Sequence, residues 1–251
     1  MLVMGILNIT PDSFADGGRY FSFGEAVKRG REMIAENVDI IDIGGESTRP
    51  GAERVSEAEE FARVIPVIIE LAKEGVQMSI DTMRASTARA AISAGAHMIN
   101  DVSGGLADPE MLITAAELET PFIAMHWRGH SKEMNTMAVY DNVVDDVISE
   151  LGERINAALD AGINKTNLII DPGIGFAKDT GHNWEIINNI DKFVELGYPV
   201  LIGASRKRFL GGDTPDEREI ATIALTKHLS TTGIWGVRVH SVKPNKDVLL
   251  T

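Results

Sequence analysis

Short apolar runs alternate with longer amphipathic stretches along the whole chain. The apolar runs are LVMGILNI (2–9), DIIDIGG (39–45), QMSIDT (77–82), HMINDVSG (97–104), PFIAMH (121–126), NLIIDPG (167–173), PVLIGAS (199–205) and WGVRVH (235–240). They are short, β-branched and bounded by Gly, Pro or polar residues, which is the pattern of buried strands. Between them lie stretches such as FGEAVKRGREMIAE (23–36) and SEAEEFARVIPVIIELAKEG (56–75), whose apolar residues recur at three and four. Pro66 is expected to kink or split the second of these helices. Residues 141–161 read as the longest helix, ending before Gly162. Strands alternating with helices imply parallel pairing and right-handed crossovers. About eight such units, with no shift of composition between them, predict a (β/α)8 TIM barrel forming one domain over 1–251. An open doubly wound sheet is the alternative, but no GxGxxG follows the first strand. The last unit, SVKPNKDVLLT, offers one or two helical turns, so a partner subunit or further chain is expected to cover that end.

Charge and composition narrow the function classes. The 251 residues carry a formal net charge of −13, which argues against nucleic acid or an anionic membrane as partner. No apolar run is long enough to span a bilayer, and no basic segment precedes a signal-like core at the N-terminus. Cysteine is absent, which removes thiolate chemistry and Cys-ligated zinc and fits a cytoplasmic setting. An anionic substrate would need a local basic pocket.

In a barrel, the loops after the strands form the catalytic face. Those strand ends carry Asn8, Asp42, Asp81, Asn100 and Asp101, His126, Asp171, Ser205-Arg206-Lys207-Arg208, and Arg238 with His240. Asp42 and Asp101 read most simply as cap or turn residues. His126 and His240, each taken singly, read as non-catalytic. The run 206–208 reads as a helix start, where cations oppose the helix dipole unless an anion is bound. Arg238 and His240 share one strand face and point into the mouth, with Val237 and Val239 on the helix-packed face. A buried arginine there requires a partner or an anion. Asp81, Asn100 and Asp171 suit either Mg²⁺ or Mn²⁺ as an oxygen-donor set, or a flat heterocycle with several N–H donors. Spacing and composition leave that choice open.

Seven blocks in order decide it by resemblance. Asn8-Ile9-Thr10-Pro11-Asp12-Ser13-Phe14 with Asp16-Gly17-Gly18 comes first, then Gly44-Gly45-Glu46-Ser47-Thr48-Arg49-Pro50-Gly51. Ser79-Ile80-Asp81-Thr82, Asn100-Asp101-Val102-Ser103-Gly104-Gly105 and Asp171-Pro172-Gly173-Ile174-Gly175-Phe176 follow. Gly203-Ala204-Ser205-Arg206-Lys207 and Arg238-Val239-His240 complete the set. Over nearly the whole chain, this resembles the dihydropteroate synthase family. The stretches at 125–128 and 206–211 look like its actinobacterial-type branch.

The resemblance implies a folate-pathway transferase. It would condense p-aminobenzoate with 6-hydroxymethyl-7,8-dihydropterin pyrophosphate, giving 7,8-dihydropteroate and pyrophosphate by Mg²⁺-assisted, SN1-like loss of the leaving group. It implies pterin contacts from Asp81, Asn100, Met125, Asp171 and Lys207. Asn8, Arg238 and His240 would hold the pyrophosphate, with Asn8 the metal ligand. Thr48, Arg49 and Pro50, with Phe176, Lys207 and Arg208, would form the p-aminobenzoate site. Asn8, Thr48, Arg49, Lys207, Arg238 and His240 would serve catalysis. The loops at 12–20 and 47–55 are expected to close and reopen over the reaction. Arg208 stands where many members carry serine. Sulfonamides are expected as competitive inhibitors, and a homodimer as the assembly. Two other readings share parts of this pattern: a corrinoid-type methyltransferase domain that binds pterin, and a non-catalytic pterin-binding paralogue. Neither needs Arg206, Lys207, Arg238 and His240 together with Asn8.

Overall fold

The computed structural model describes residues 1–9, 23–47, 54–130 and 134–250. Eight parallel strands lie in the order β6-β5-β4-β3-β2-β1-β8-β7. They are β1 Leu2–Asn8, β2 Ile40–Gly44, β3 Gln77–Asp81, β4 Met98–Asp101, β5 Phe122–Met125, β6 Leu168–Asp171, β7 Leu201–Ile202 and β8 Gly236–Val239. A bridge between Ile170 and Val200 joins the two ends of that order, and Ile170 N donates to Pro199 O at 2.9 Å. The sheet therefore closes on itself as a (β/α)8 barrel. All eight expected strands are present. The seventh is shorter than its apolar run suggests. The chain leaves the sheet at Gly203, whose missing side chain faces Asp171: a Cβ there would lie 3.7 Å from Asp171 Oδ2.

Strand alternation sorts the apolar residues into two bodies. Val3, Leu7, Ile41, Ile43, Met78, Ile80, Phe122, Ile170, Val237 and Val239 point outward and join the core shared with the helices. Met4, Ile40, Met98, Ile123, Ile169 and Leu201 point inward and form a separate plug, against which Leu2 and Trp235 pack. Each such side chain, fully buried, contributes about 1.5–3 kcal/mol. The plug thus supplies on the order of 10 kcal/mol beneath whatever lies above it in the barrel. Two residues further along β2, β4, β5 and β6, the inward positions become Asp42, Asn100, Met125 and Asp171, joined by Asp81 from β3 and Arg238 from β8.

The helices follow their sequence signals. α1 (Phe23–Ala35) buries Ala26, Val27, Gly30 and Met33 along one stripe. A Cβ on Gly30 would come within 2.6 Å of Leu71 Cδ1, so glycine there sets a close approach to α2 (Glu57–Ala72). Ser56 caps α2 by accepting from Glu59 N. α3 (Ala85–Ser93) and α4 (Met111–Glu117) cover β3 to β5. α5 (Val143–Asp160) has 18 residues and begins at Asn142, whose side chain accepts from Val144 N and Asp145 N. α6 (Thr180–Asn188) and α7 (Ile190–Val194) follow β6. α8 (Pro215–Leu229) starts with a capping box between Thr214 and Glu217 and with Pro215 in its first turn. α9 (Val242–Asp247) is the short last helix that the sequence implies.

Of the two outcomes expected at Pro66, a kink or a split, the split does not occur. The helix runs through it. Pro66 lies on the exposed face, so the Ala62 carbonyl left without a partner can reach water, while Val64, Ile65, Val67, Ile68 and Leu71 anchor both halves. Proline in a helix interior is about 3 kcal/mol less favourable than alanine. Pro66→Ala is therefore expected to stabilise the protein by about 1–3 kcal/mol, seen as a higher urea midpoint at unchanged slope. An unchanged midpoint would mean that packing alone dictates α2.

Candidate active site

The layer above the plug is polar and internally paired. Arg238 donates from Nε to Asp42 Oδ2 at 2.5 Å and from Nη2 to Asp81 Oδ2 at 2.7 Å. Asn100 Nδ2 donates to the same Asp42 oxygen at 3.1 Å. Asp42 lies within β2 and bonds to Asn100 and Arg238, and so occupies neither the cap nor the turn position that its sequence context suggests. Its inward register beside Ile6 and Ser79 puts it in the barrel lumen. Burying two carboxylates beside one guanidinium is costly unless they are paired; both pair with Arg238 here, while Asp42 Oδ1 has no hydrogen-bond partner among the described residues. Desolvation pushes Asp81 up to about 7, with Arg238 pulling it down and Asp42 adding to the rise. The two carboxylates raise Arg238 against the opposing effect of its burial. Arg238 thus faces the lumen, as expected, but two of its nitrogens are held by carboxylates.

Asn8 closes one side of this layer. A Cβ on Gly44 would lie 3.4 Å from Asn8 Oδ1 and 3.6 Å from Asp81 Oδ2, so these two oxygens flank the bare Gly44 backbone. His240 lies just past β8. Its backbone N–H and its Nδ1 both meet Ser205 Oγ, at 3.1 and 3.0 Å.

The opposite side is built by the turn after β6. Asp171 is paired in register with Met125 on β5, and both are buried. Asp171 Oδ1 accepts from Gly173 N at 2.7 Å. Burial raises the Asp171 carboxyl above its ordinary range, opposed by the Gly173 N–H and by the charge of Lys207. Lys207 donates to Ile174 O and lies 4.5 Å from the centre of the Phe176 ring. A Cβ on Gly175 would approach Lys207 Cδ to 2.7 Å, so glycine leaves the lysine its path across the turn. Burial lowers Lys207 to about 8, with Asp171 resisting the shift and Arg238 adding to it.

The run Arg206-Lys207-Arg208 is not a helix start. It leads into a single 3₁₀ turn, Arg208–Leu210, and α8 begins only at Pro215. The three cations diverge. Arg206 adopts φ 57° and bonds to Glu219 and to Ser241 Oγ. Lys207 turns into the barrel mouth and Arg208 is exposed. Asp101 does serve as a turn residue, accepting from Ser103 N, Ser103 Oγ and Gly105 N. Thr48, Arg49 and Pro50 lie outside the described residues, as do residues 12–20 and most of 47–55.

Two polar clusters behind the site have no counterpart in the sequence reading. Glu46 accepts from Arg54 Nε and Arg84 Nη1, each at 3.0 Å, and Arg84 Nη2 donates to Val55 O at 2.6 Å. Arg84 also pairs with buried Glu60, which accepts from Thr82 Oγ1 at 2.6 Å. These contacts brace residue 46 against residues 54 and 55, the two ends of the loop between them. In the second cluster, Lys178 Nζ meets His126 Nδ1 at 2.8 Å and donates to Gly173 O at 3.2 Å and Phe176 O at 3.0 Å. His126 Nε2 meets Glu150 Oε2 at 2.9 Å, and Glu150 also pairs with Arg128. His126 is thus a buried structural residue, in line with its bland sequence reading. Lys178 stands two residues beyond Phe176, and its place beside the Gly-rich turn was the signal available in the sequence.

The sequence profile of the family described as pterin binding enzyme matches residues 4–240. The dihydropteroate synthase of Mycobacterium leprae is 46% identical over 98% of this chain and 90% of its own length. The chain belongs to the dihydropteroate synthase family. Among solved members of that family, the Xanthomonas albilineans enzyme with 4-aminobenzoic acid superposes with TM-score 0.93 at 43% identity, covering 99% of this chain and 90% of that one. A structure of the same organism's enzyme with 7,8-dihydropteroate gives TM-score 0.89 at 40% identity, over 99% and 91%. The Yersinia pestis enzyme, in a sulfonamide complex, gives TM-score 0.94 at 38% identity, over 99% and 92%. The family's barrel is thus the barrel seen here, with the polar layer at the carboxyl ends of its strands.

Burial lowers the His126 imidazole to about 4, with the Lys178 charge adding to the shift and Glu150 opposing it. An unfolded histidine titrates near about 6.5. Between those values the unfolded chain takes up a proton that the folded chain refuses, so the His126 contribution to stability falls as pH drops from about 6.5 towards 4. Glutamine can accept from Lys178 and donate to Glu150 without titrating. His126→Gln is expected to reduce the difference in urea midpoint between pH 7 and pH 5. An equal difference in parent and variant would rule out a neutral, buried His126.

Proposed function

We propose that this chain joins p-aminobenzoate to 6-hydroxymethyl-7,8-dihydropterin pyrophosphate, forming 7,8-dihydropteroate and pyrophosphate for folate biosynthesis. The observation that carries this reading is the set of unspent donors and acceptors above the plug. The Asp171 carboxylate has room beyond the Gly173 N–H to accept from pterin N3–H and the 2-amino group side by side. One Asn100 N–H is held by Asp42, which fixes the amide; its second N–H suits N1 and its oxygen the 2-amino group. Asp81 has its other oxygen for N8–H. Lys207 has two N–H bonds beyond the one given to Ile174 O, for O4 and N5. Met125 supplies an apolar ring contact.

In the reaction the C–O bond to the pyrophosphate breaks with its electron pair on the leaving group. The arylamine nitrogen bonds to the freed methylene and then releases a proton to solvent. A neutral arylamine needs no base before attack, so the protein's task is to hold the pterin and stabilise the charge that departs. Arg238, His240 and Asn8 are assigned to that charge. Among the described residues Nη1 of Arg238 makes no hydrogen bond, which suits this role. The Asn8 oxygen fits Mg²⁺, which takes few protein ligands and completes its shell with phosphate oxygens and water. Bound there, Mg²⁺ would neutralise leaving-group charge. Phe176, Lys207 and Arg208, with Thr48, Arg49 and Pro50, are assigned to p-aminobenzoate and to the sulfonamides that compete with it. A single catalytic domain over 1–251, a homodimer and a cytoplasmic setting complete the proposal.

Pyrophosphate release should require both substrates and rise with Mg²⁺. Intact pterin binding without release would favour a binding protein instead. Asp171→Asn keeps the shape but sets an amide N–H against a pterin N–H, and an unpaired buried donor costs about 1–3 kcal/mol before the lost charge is added. With tenfold per about 1.4 kcal/mol, calorimetry should show pterin pyrophosphate binding weakened at least about a hundredfold. A change of only a few-fold would transfer the reading role to Asp81 or Asn100.

A further inference from the structure

Ser205 has no part in the assignments above, yet its hydroxyl is committed to one of them. The residue is 5% exposed. Its oxygen lies 3.1 Å from the His240 backbone nitrogen and 3.0 Å from His240 Nδ1, and both of its hydrogen bonds go to that one residue. The pairing Leu201 with Gly236 and Ile202 with Val237, carried forward three residues, sets 205 beside 240.

Both partners are fastened. Arg206, next to Ser205, holds φ 57°, a conformation that costs an L-residue free energy unless its surroundings impose it. Its N–H donates to Thr222 Oγ1 at 3.0 Å, and its side chain reaches Glu219 on α8 and Ser241 Oγ at 2.8 Å. Ser241 directly follows His240. One arginine therefore ties the Ser205 turn to the His240 turn.

The hydroxyl's valence then selects a tautomer. Serine has one proton and two lone pairs. The His240 backbone N–H takes one lone pair. If Nδ1 also carried a proton it would take the other, and the buried Ser205 proton would have no acceptor among the described residues, a disfavoured arrangement. With Nδ1 bare, Ser205 donates to it, and the serine's own proton is satisfied. The imidazole proton then resides on Nε2, on the far edge of the ring.

We propose that Ser205 is a positioning residue that holds the neutral His240 ring as its Nε2–H tautomer and in one orientation, so that a neutral N–H donor is aimed at an anionic oxygen. This rests on the assignment of His240 to the leaving pyrophosphate. The tautomer and the anion are therefore read separately.

The test uses ¹⁵N-histidine-labelled full-length protein at pH 8, with His240 signals assigned by their loss in His240→Gln. The parent should show a bare Nδ1 and a protonated Nε2. Ser205→Ala should move both signals towards the exchange-averaged values of a free ring. Inorganic pyrophosphate with Mg²⁺ should bind about tenfold more weakly to Ser205→Ala, and Ser205→Thr, which keeps the hydroxyl, should recover most of that loss. In a His240→Gln background, Ser205→Ala should change pyrophosphate affinity less than twofold, an outcome that a merely structural serine would not give. A protonated Nδ1 in the parent, or unchanged His240 signals in Ser205→Ala, would overturn the proposal. Shifted signals without any pyrophosphate binding by the parent would uphold the Ser205 role and remove His240 from the leaving-group site.

Discussion

Two carboxylates close on one buried guanidinium in the barrel lumen, and the chemistry of the mouth is arranged around that contact. Asp42 and Asp81 come from adjacent strands, and Arg238 reaches both across β1. Removing Arg238 would leave two buried carboxylates without a counter-charge, which is strongly destabilising. The same contact sets the neighbours. Asp42 fixes the amide of Asn100, and Arg238 restrains the rise in the Asp81 pKa that burial causes. The apolar plug below lets such a layer exist, because it supplies the burial that offsets the desolvation above it.

The far side of the mouth depends on backbone geometry more than on charge pairs. Gly173, at φ 70°, lies so close to His126 that a Cβ would sit 2.4 Å from the His126 carbonyl oxygen. That turn brings the Ile174 carbonyl to Lys207, while Lys178 holds two carbonyls of the same turn from behind. One lysine thus lies on the Ile174 side of a Gly-rich turn and another fills its back. Burial lowers both, Lys178 to about 7 and Lys207 to about 8, because neither has a carboxylate in direct contact.

Most of the fold was legible because a strand buried on both faces leaves a plain mark. DIIDIGG and NLIIDPG are short, β-branched and bounded, and alternation alone sends Arg238 inward. What escaped was whatever depends on partners far away in sequence. Asp42 sits between isoleucines and looks like a strand-end turn residue. Its strand parity matches Ile40 and Gly44, and that parity would have placed it inward. Lys178 meets His126 across 52 residues, a pairing that no local pattern announces. Arg206 was misread because a helix start and a left-handed turn both tolerate a run of cations, and only the tertiary partners Glu219 and Ser241 tell them apart. At Pro66 propensity allowed a split, and packing on either side of the proline keeps α2 one continuous helix.

The inward layering has a consequence for ligand exchange. A TIM barrel is ordinarily filled by successive layers of side chains. Here the plug forms one layer and the Asp42–Arg238–Asp81 group the next, with Met125 and Asp171 at the rim. A flat ring seated on that rim, as proposed, would act as a further layer of core, supplied from solvent instead of by the chain. Each turnover then resembles the last step of folding followed by its reversal, and the barrel gains and loses part of its own interior with every product released.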